Sequence, residues 1–225
     1  MKSIGPTREP TYCKSCFKAF YPSPYRILLE GAPLLCDDCV SSISKEVAFR
    51  NFQGTRILFL GYYDGIMKTW LMNYKEKGDV ELAPVFLSIY LSWIRLFFPH
   101  HLFVPLPSSD ERVEKRGFDH LSRILEASKL PYQRMLHKGK SGEQKNNKGA
   151  KRFEKKNITL LEGTTSIADK RIVLFDDVLT TGSTFLESKE VLSALGPKSI
   201  SGLILLDNER SEERRVKTSL NNISK

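Results

Sequence analysis

The residues best suited to chemistry lie at positions 172–184. The apolar run Ile172-Val173-Leu174-Phe175 meets Asp176-Asp177, and Thr180-Thr181-Gly182-Ser183-Thr184 follows two residues later. Carboxylates at the end of a buried strand accept hydrogen bonds from hydroxyls. The small residues beyond them let backbone approach a ligand closely, and Gly182 admits a positive φ. Unpaired N–H groups at the start of a following helix, with Thr and Ser hydroxyls beside them, form a cradle for an anion. Ligands of open α/β sheets bind at this carboxyl end of the strands. A bare phosphate would be repelled by two acids. A phosphorylated sugar suits both halves, with its phosphate on the loop and its hydroxyls on the carboxylates. No Lys follows Gly182, so the segment is not a nucleotide-hydrolase P-loop. An ordinary strand–turn–helix with a Thr or Ser cap is the bland alternative, and the adjacent acids argue against it.

A second constellation is Cys13-x2-Cys16 and Cys36-x2-Cys39, which hold all four cysteines of the chain. Each CxxC turn directs two sulfurs at one point. A hairpin with its tip at Glu30-Gly31 and arms at 25–29 and 33–35 would join them around a tetrahedral Zn²⁺. So small a module buries little, and the metal would stabilise it directly. Four sulfurs leave no position for water, so the zinc is structural. A redox dithiol or two disulfides are the rivals. A cytosolic setting opposes disulfides, and the doubled CxxC opposes a lone redox motif.

These groups need a scaffold. The chain has 225 residues, of which 40% are hydrophobic, enough for a true core. Short apolar runs at 57–60, 101–104, 158–161, 171–175 and 201–206 read as strands. The patterns at 64–74, 119–128 and 185–195 read as helices. Strands alternating with helices give an α/β domain with a mostly parallel sheet. Residues 41–53 read as a polar linker, and 77–79 as a turn. The apolar stretch 82–98 holds Arg95 and reads as a buried amphipathic helix, since a membrane span needs about 20 mostly apolar residues. The start of the chain shows no signal-peptide pattern, which gives a cytoplasmic expectation. The expected division is 1–50 for the zinc ribbon and linker, 51–210 for the main domain and 211–225 for a polar tail.

The formal charge of +9 is concentrated in one place. Residues 129–157 hold ten basic and two acidic side chains, a net +8, and the rest of the chain carries +1. Within this stretch Lys145, Lys148, Lys151 and Arg152 are candidates for phosphate contacts with single-stranded DNA. A solvated charge run is the plain alternative.

The 172–184 segment resembles the signature of type I phosphoribosyltransferases, which hold phosphoribosyl pyrophosphate (PRPP). That resemblance implies a type I phosphoribosyltransferase-like, mostly parallel sheet flanked by helices, with a small N-terminal four-Cys zinc ribbon. It assigns Asp176 and Asp177 to the ribose hydroxyls, Thr180, Thr181, Gly182, Ser183 and Thr184 to the 5′-phosphate, and Leu179 to the PRPP site beside them. It also implies Mg²⁺ carried on the pyrophosphate.

The order of further motifs is more specific. Tyr62-Tyr63-Asp64-Gly65, Lys75-Glu76-Lys77-Gly78-Asp79, Val104-Pro105-Leu106-Pro107 and Arg116-Gly117-Phe118 stand between the cysteines and the acidic pair. Over residues 10–206 the chain resembles the ComF family of competence proteins, which are associated with uptake of single-stranded DNA alongside a helicase-like partner. By that resemblance Pro107 and Ser108 face the pyrophosphate, Arg112 and Arg116 neutralise it, and the basic stretch is a flap. A solvated helix start is the other reading of the two arginines. Asp119-His120 departs from the Asn-Gln more usual in the family. His100, His101, His120 and His137 read as surface or structural. Two functions stay open: a competence factor that binds PRPP at the periphery of a membrane uptake machine, and an active transferase with an unidentified acceptor.

Overall fold

The computed structural model describes residues 10–43, 45–139 and 157–208. The chain starts with a two-stranded antiparallel pair, β1 (Thr11–Tyr12) and β2 (Ala19–Phe20), around the first CxxC turn. Helix α1 (Pro24–Glu30) follows where hairpin arms were expected. Its local signals are strong. Ser23 Oγ accepts the Arg26 N–H, Pro24 occupies the first turn, and Gly31 stops the helix at φ 74°. Helix α2 (Asp37–Ser41) then carries the last cysteine.

Strand β3 (Lys45–Phe52) occupies most of the expected linker and pairs antiparallel with β4 (Thr55–Gly61). Helix α3 (Gly65–Glu76) buries Met67, Trp70, Leu71 and Tyr74, one face at helical spacing. The stretch expected as one helix is broken into a 3₁₀ turn (Val80–Leu82), α4 (Val85–Ser88) and α5 (Leu91–Phe97). Among the described residues no single helix is long and apolar enough to cross a membrane. The α4 region and α5 pass by composition only as a pair bent by 59°, and α4 is buried throughout.

Strand β5 (Leu102–Pro105), α6 (Asp110–Arg116) and α7 (His120–Ala127) come next. A short antiparallel pair, β6 (Leu136–Lys138) with β7 (Ile158–Leu160), joins the two ends of the basic stretch. Strand β8 (Arg171–Leu179), α8 (Ser183–Ser193) and β9 (Ser199–Asp207) complete the fold.

The central sheet has the order β3-β4-β9-β8-β5, and every pairing except β3 with β4 is parallel. Ile57 to Leu60, Ile172 to Phe175 and Leu203 to Leu206 are all buried, as expected of strands covered on both faces. A Cβ on Gly202 would come within 2.9 Å of Ile57 and Phe185. Glycine there lets α8 press onto the sheet.

The cysteine module is built onto this core rather than tethered to it. Trp70 Nε1 donates to Ser15 Oγ at 3.0 Å and Ser92 Oγ donates to the Leu29 carbonyl at 2.6 Å. Cys13, Leu35 and Cys39 belong to the same buried cluster as the strands.

Candidate functional site

Strand β8 runs through the acidic pair to Leu179, further than the expected 171–175, so both acids sit on extended backbone within the sheet, near the carboxyl end of the strand. Gly182 then turns the chain into α8 with φ 72°. Thr181 Oγ1 and Ser183 Oγ lie 3.2 Å apart beside that turn. Leu179, Thr181, Gly182 and Ser183 line a small hollow of about 50 Å³ together with Thr180 and Thr184.

Next to it lies a cavity of about 470 Å³; Asp176, Val178, Thr180 and Thr184 border both spaces, and Asp177 lines the larger one. Pro107 and Ser108, from the loop after β5, line the cavity. So do four cations: Lys75 from α3, Arg112 and Arg116 from α6, and Lys138 from β6. Lys138 Nζ donates to Thr184 Oγ1 at 3.0 Å, tying the start of the basic stretch to the loop helix. Arg112 is exposed. Arg116 is half-buried at the end of α6, so it is not part of a solvated helix start.

The two acids differ in their surroundings. Asp177 Oδ2 accepts Lys75 Nζ at 2.7 Å and faces His120 Nε2 at 2.8 Å. Burial would raise its pKa, but His120 and Lys75 outweigh that and hold it below the usual carboxylate range. Among the described residues Asp176 receives the Asp177 backbone N–H, at 2.9 Å on Oδ1, and no side-chain donor. Burial, and then the charge of Asp177, push Asp176 up to about 8. One acid is a fixed anion and its neighbour holds its proton near neutrality.

Lys75, Lys138 and His120 were not among the predicted site residues. Lys75 stood in a motif already noted, but its distance from Asp177 is 102 residues in sequence. His120 reads from the sequence as surface or structural; it is 4% exposed and touches Asp177 of the acidic pair. Its only local sign was Asp119, which caps α7 by accepting the Ser122 N–H at 3.3 Å. Lys145, Lys148, Lys151 and Arg152 lie outside the described residues, as does the polar tail.

The Sγ atoms of Cys13, Cys16, Cys36 and Cys39 lie within 4.8 Å of one another. Cys16 and Cys36 are 3.6 Å apart, close to the roughly 3.8 Å edge of a tetrahedron with Zn–S of about 2.3 Å. Burial opposes ionisation of Cys13, but backbone hydrogen bonds from Cys16, Cys36 and Ser15 bring its thiol down to about 6. Four cysteines in this arrangement fit a zinc ribbon, reached by a turn and a helix rather than a hairpin.

The phosphoribosyl transferase domain family matches residues 113–224. Competence protein ComFC of Streptococcus pneumoniae (strain ATCC BAA-255 / R6) is 28% identical over 171 residues, 76% of this chain and 74% of that protein. Competence protein ComFC of Bacillus subtilis (strain 168) is 32% identical over 130 residues, 54% of this chain and 51% of its own length. Among solved structures, a hypoxanthine-guanine phosphoribosyltransferase from Bacillus anthracis str. 'Ames Ancestor' is 15% identical, with a TM-score of 0.35. It covers 59% of this chain and 70% of its own. With its mostly parallel sheet and matched domain, the chain is a phosphoribosyltransferase-like protein of the type I fold. The two competence relatives and the matched domain support a ComF family, phosphoribosyltransferase-like protein.

Proposed function

We propose that this competence-associated, phosphoribosyltransferase-like protein binds PRPP or a closely related sugar phosphate, and that it handles single-stranded DNA in the cytoplasm. The observation that carries the first part is the convergence of Asp176, Asp177 and the 180–184 loop with Lys75, Arg112, Arg116 and Lys138 around one cavity. Carboxylates suit ribose hydroxyls, the loop suits a 5′-phosphate, and four cations suit a diphosphate that travels with Mg²⁺. Structural zinc in the four-sulfur cluster supports the N-terminal module. The DNA part rests on the +8 stretch and on the competence relatives. A helicase partner is proposed on the family resemblance alone.

Calorimetry with PRPP and Mg²⁺, repeated with single-stranded DNA present, tests the reading. Saturable binding that Asp176→Asn/Asp177→Asn abolishes supports it; no heat with PRPP at any concentration overturns it.

A second reading, turnover with an unidentified acceptor, is favoured by Asp176, whose pKa of about 8 suits proton exchange with a ligand at neutral pH. Displacement at the ribose C1 would need positioned groups and cations on the leaving pyrophosphate. Pyrophosphate release in a screen of nucleobases and nucleotides tests it, and a broad screen without release excludes it.

A further inference from the structure

His120 is the one buried titratable side chain in the cavity for which the proposed function has no use. Its two ring nitrogens face two different charged groups. Nε2 lies 2.8 Å from Asp177 Oδ2 and Nδ1 lies 2.6 Å from Arg116 Nη1. A guanidinium has donors and no acceptor. Nδ1 must therefore present its lone pair to Arg116, and the single ring proton sits on Nε2, donated to Asp177. The contacts fix a neutral ring and one tautomer.

The same contacts close a circuit. Arg116 Nε donates to the Lys75 carbonyl at 3.2 Å, and the Lys75 ammonium returns to Asp177 Oδ2 at 2.7 Å. Four residues from α3, α6, α7 and β8 are thus joined in a ring, closed at Lys75 through both its ammonium and its backbone carbonyl. Tyr74 Oη holds the backbone beneath it by donating to the His120 carbonyl at 2.8 Å.

We propose that His120 is a positioning residue of the sugar-phosphate site: its neutral imidazole locks Arg116, aimed at the diphosphate, to Asp177, aimed at the ribose, and a second ring proton opens that lock. This rests on the reading under Proposed function. A proton on Nδ1 would set one N–H against another 2.6 Å away, and two cations side by side. Arg116 would have to leave, and the Lys75 carbonyl would lose its donor. The charged groups acting on the ring are Asp177 on β8, Lys75 on α3 and Arg116 on α6, and Asp176 on β8 and Arg112 on α6 line the same cavity. Burial first, with Lys75 and Arg116 behind it, disfavours the charged ring, while Asp177 opposes them; the net direction is downward. The lock holds at neutral pH and opens in acid.

Two measurements test this. The first needs no ligand: imidazole ¹⁵N NMR of the full chain at neutral pH. A neutral Nε2–H ring at His120 is expected; an Nδ1–H or doubly protonated ring overturns the proposal. The second is PRPP–Mg²⁺ affinity at about pH 7.5 and about one pH unit below the midpoint at which the same ¹⁵N spectra show His120 gaining its second proton, a midpoint expected below the ordinary histidine value. A ring that gains no second proton before the chain unfolds overturns the opening step. PRPP protonates in this interval too, so His120→Gln is the reference. Its amide can accept from Arg116 and donate to Asp177, yet does not titrate. The wild type should lose at least about threefold more affinity than His120→Gln on acidification, and His120→Phe about tenfold at the higher pH. His120→Gln should restore most of the affinity lost in His120→Phe. Parallel pH profiles for the wild type and His120→Gln overturn the lock. If no form binds PRPP, it is the reading under Proposed function that fails, and the NMR result still decides the tautomer.

Discussion

The ring of Phe52 lies against Gly182, so close that a Cβ built on the glycine would collide with it. The contact joins the β3–β4 hairpin to the loop that opens α8. Phe52 also meets Phe185 edge-on at 6.2 Å, so an aromatic pair supports the anion cradle from below. The edge strand mistaken for a linker in the sequence helps to shape the proposed phosphate site.

Gly182→Ala should therefore be costly on two counts. A φ of +72° strains an alanine by about 1–2 kcal/mol, and the new methyl must displace Phe52. Thermal melts should show the loss, and PRPP affinity should fall with it. Adding Phe52→Ala relieves the collision but not the strain, so PRPP binding should recover only in part.

Asp176 and Asp177 should respond to substitution with opposite signs. In the ligand-free protein Asp176 titrates at about 8, against about 3.9 when unfolded. The unfolded chain releases that proton first, so the stability Asp176 contributes below about pH 4 drains away as pH rises and is gone above about 8. Asp176→Asn should melt above the wild type at alkaline pH, with the gap closing toward pH 4. Asp177 is the reverse. Its folded pKa is depressed, so its contribution is present above about 3.9 and is lost only as pH falls through the folded value. Asp177→Asn should melt below the wild type at neutral pH. Melting curves of the two variants across pH check both signs.

Zinc removal should be visible at one tryptophan. Metal analysis should find one zinc per chain. Trp70 is 4% exposed and donates to Ser15 between the first two cysteines, whereas Trp93 is 53% exposed. Chelation should shift Trp70 emission to the red and lower the melting temperature. Unchanged emission after verified metal loss would show that the module keeps its shape without the ion.

The basic stretch gives a salt-dependence prediction. Replacing Lys145, Lys148, Lys151 and Arg152 with Ala should reduce the slope of log affinity for single-stranded DNA against log salt. Four lost phosphate contacts correspond to a change of about 3, at about 0.7 per contact. An unchanged slope would mean that these residues do not touch DNA.

The central sheet was largely legible because its strands are buried on both faces and read as unbroken apolar runs. The acidic loop was legible because its residues are adjacent in sequence. Lys75 and His120 were not, since they reach Asp177 from helices 102 and 57 residues away and nothing local marks a side chain's direction. Strand β3 has a mixed, half-exposed face, with Val47 at 39% exposure, and so lacks the apolar signal of its neighbours. Helix α1 carried a Ser-Pro start that cysteine spacing overrode. The 82–98 helix breaks into short pieces: Pro84 precedes α4, and Ile89 and Tyr90 separate α4 from α5. Strand β6 is three residues long and exists through its pairing with β7.

The β6–β7 pair anchors the chain that runs between its two strands. The Gly139 N–H donates to the Asn157 carbonyl at 3.0 Å, Lys138 is tied to Thr184, and the Ile158 N–H is tied to Glu187 at 2.8 Å. Both ends of the intervening chain are thus clamped to each other and to α8 before that chain begins. Doubling the length between two such clamps costs only about 0.6 kcal/mol of closure entropy. A chimaera that replaces the chain between Gly139 and Asn157 is therefore expected to keep its fold, which its melting temperature would check.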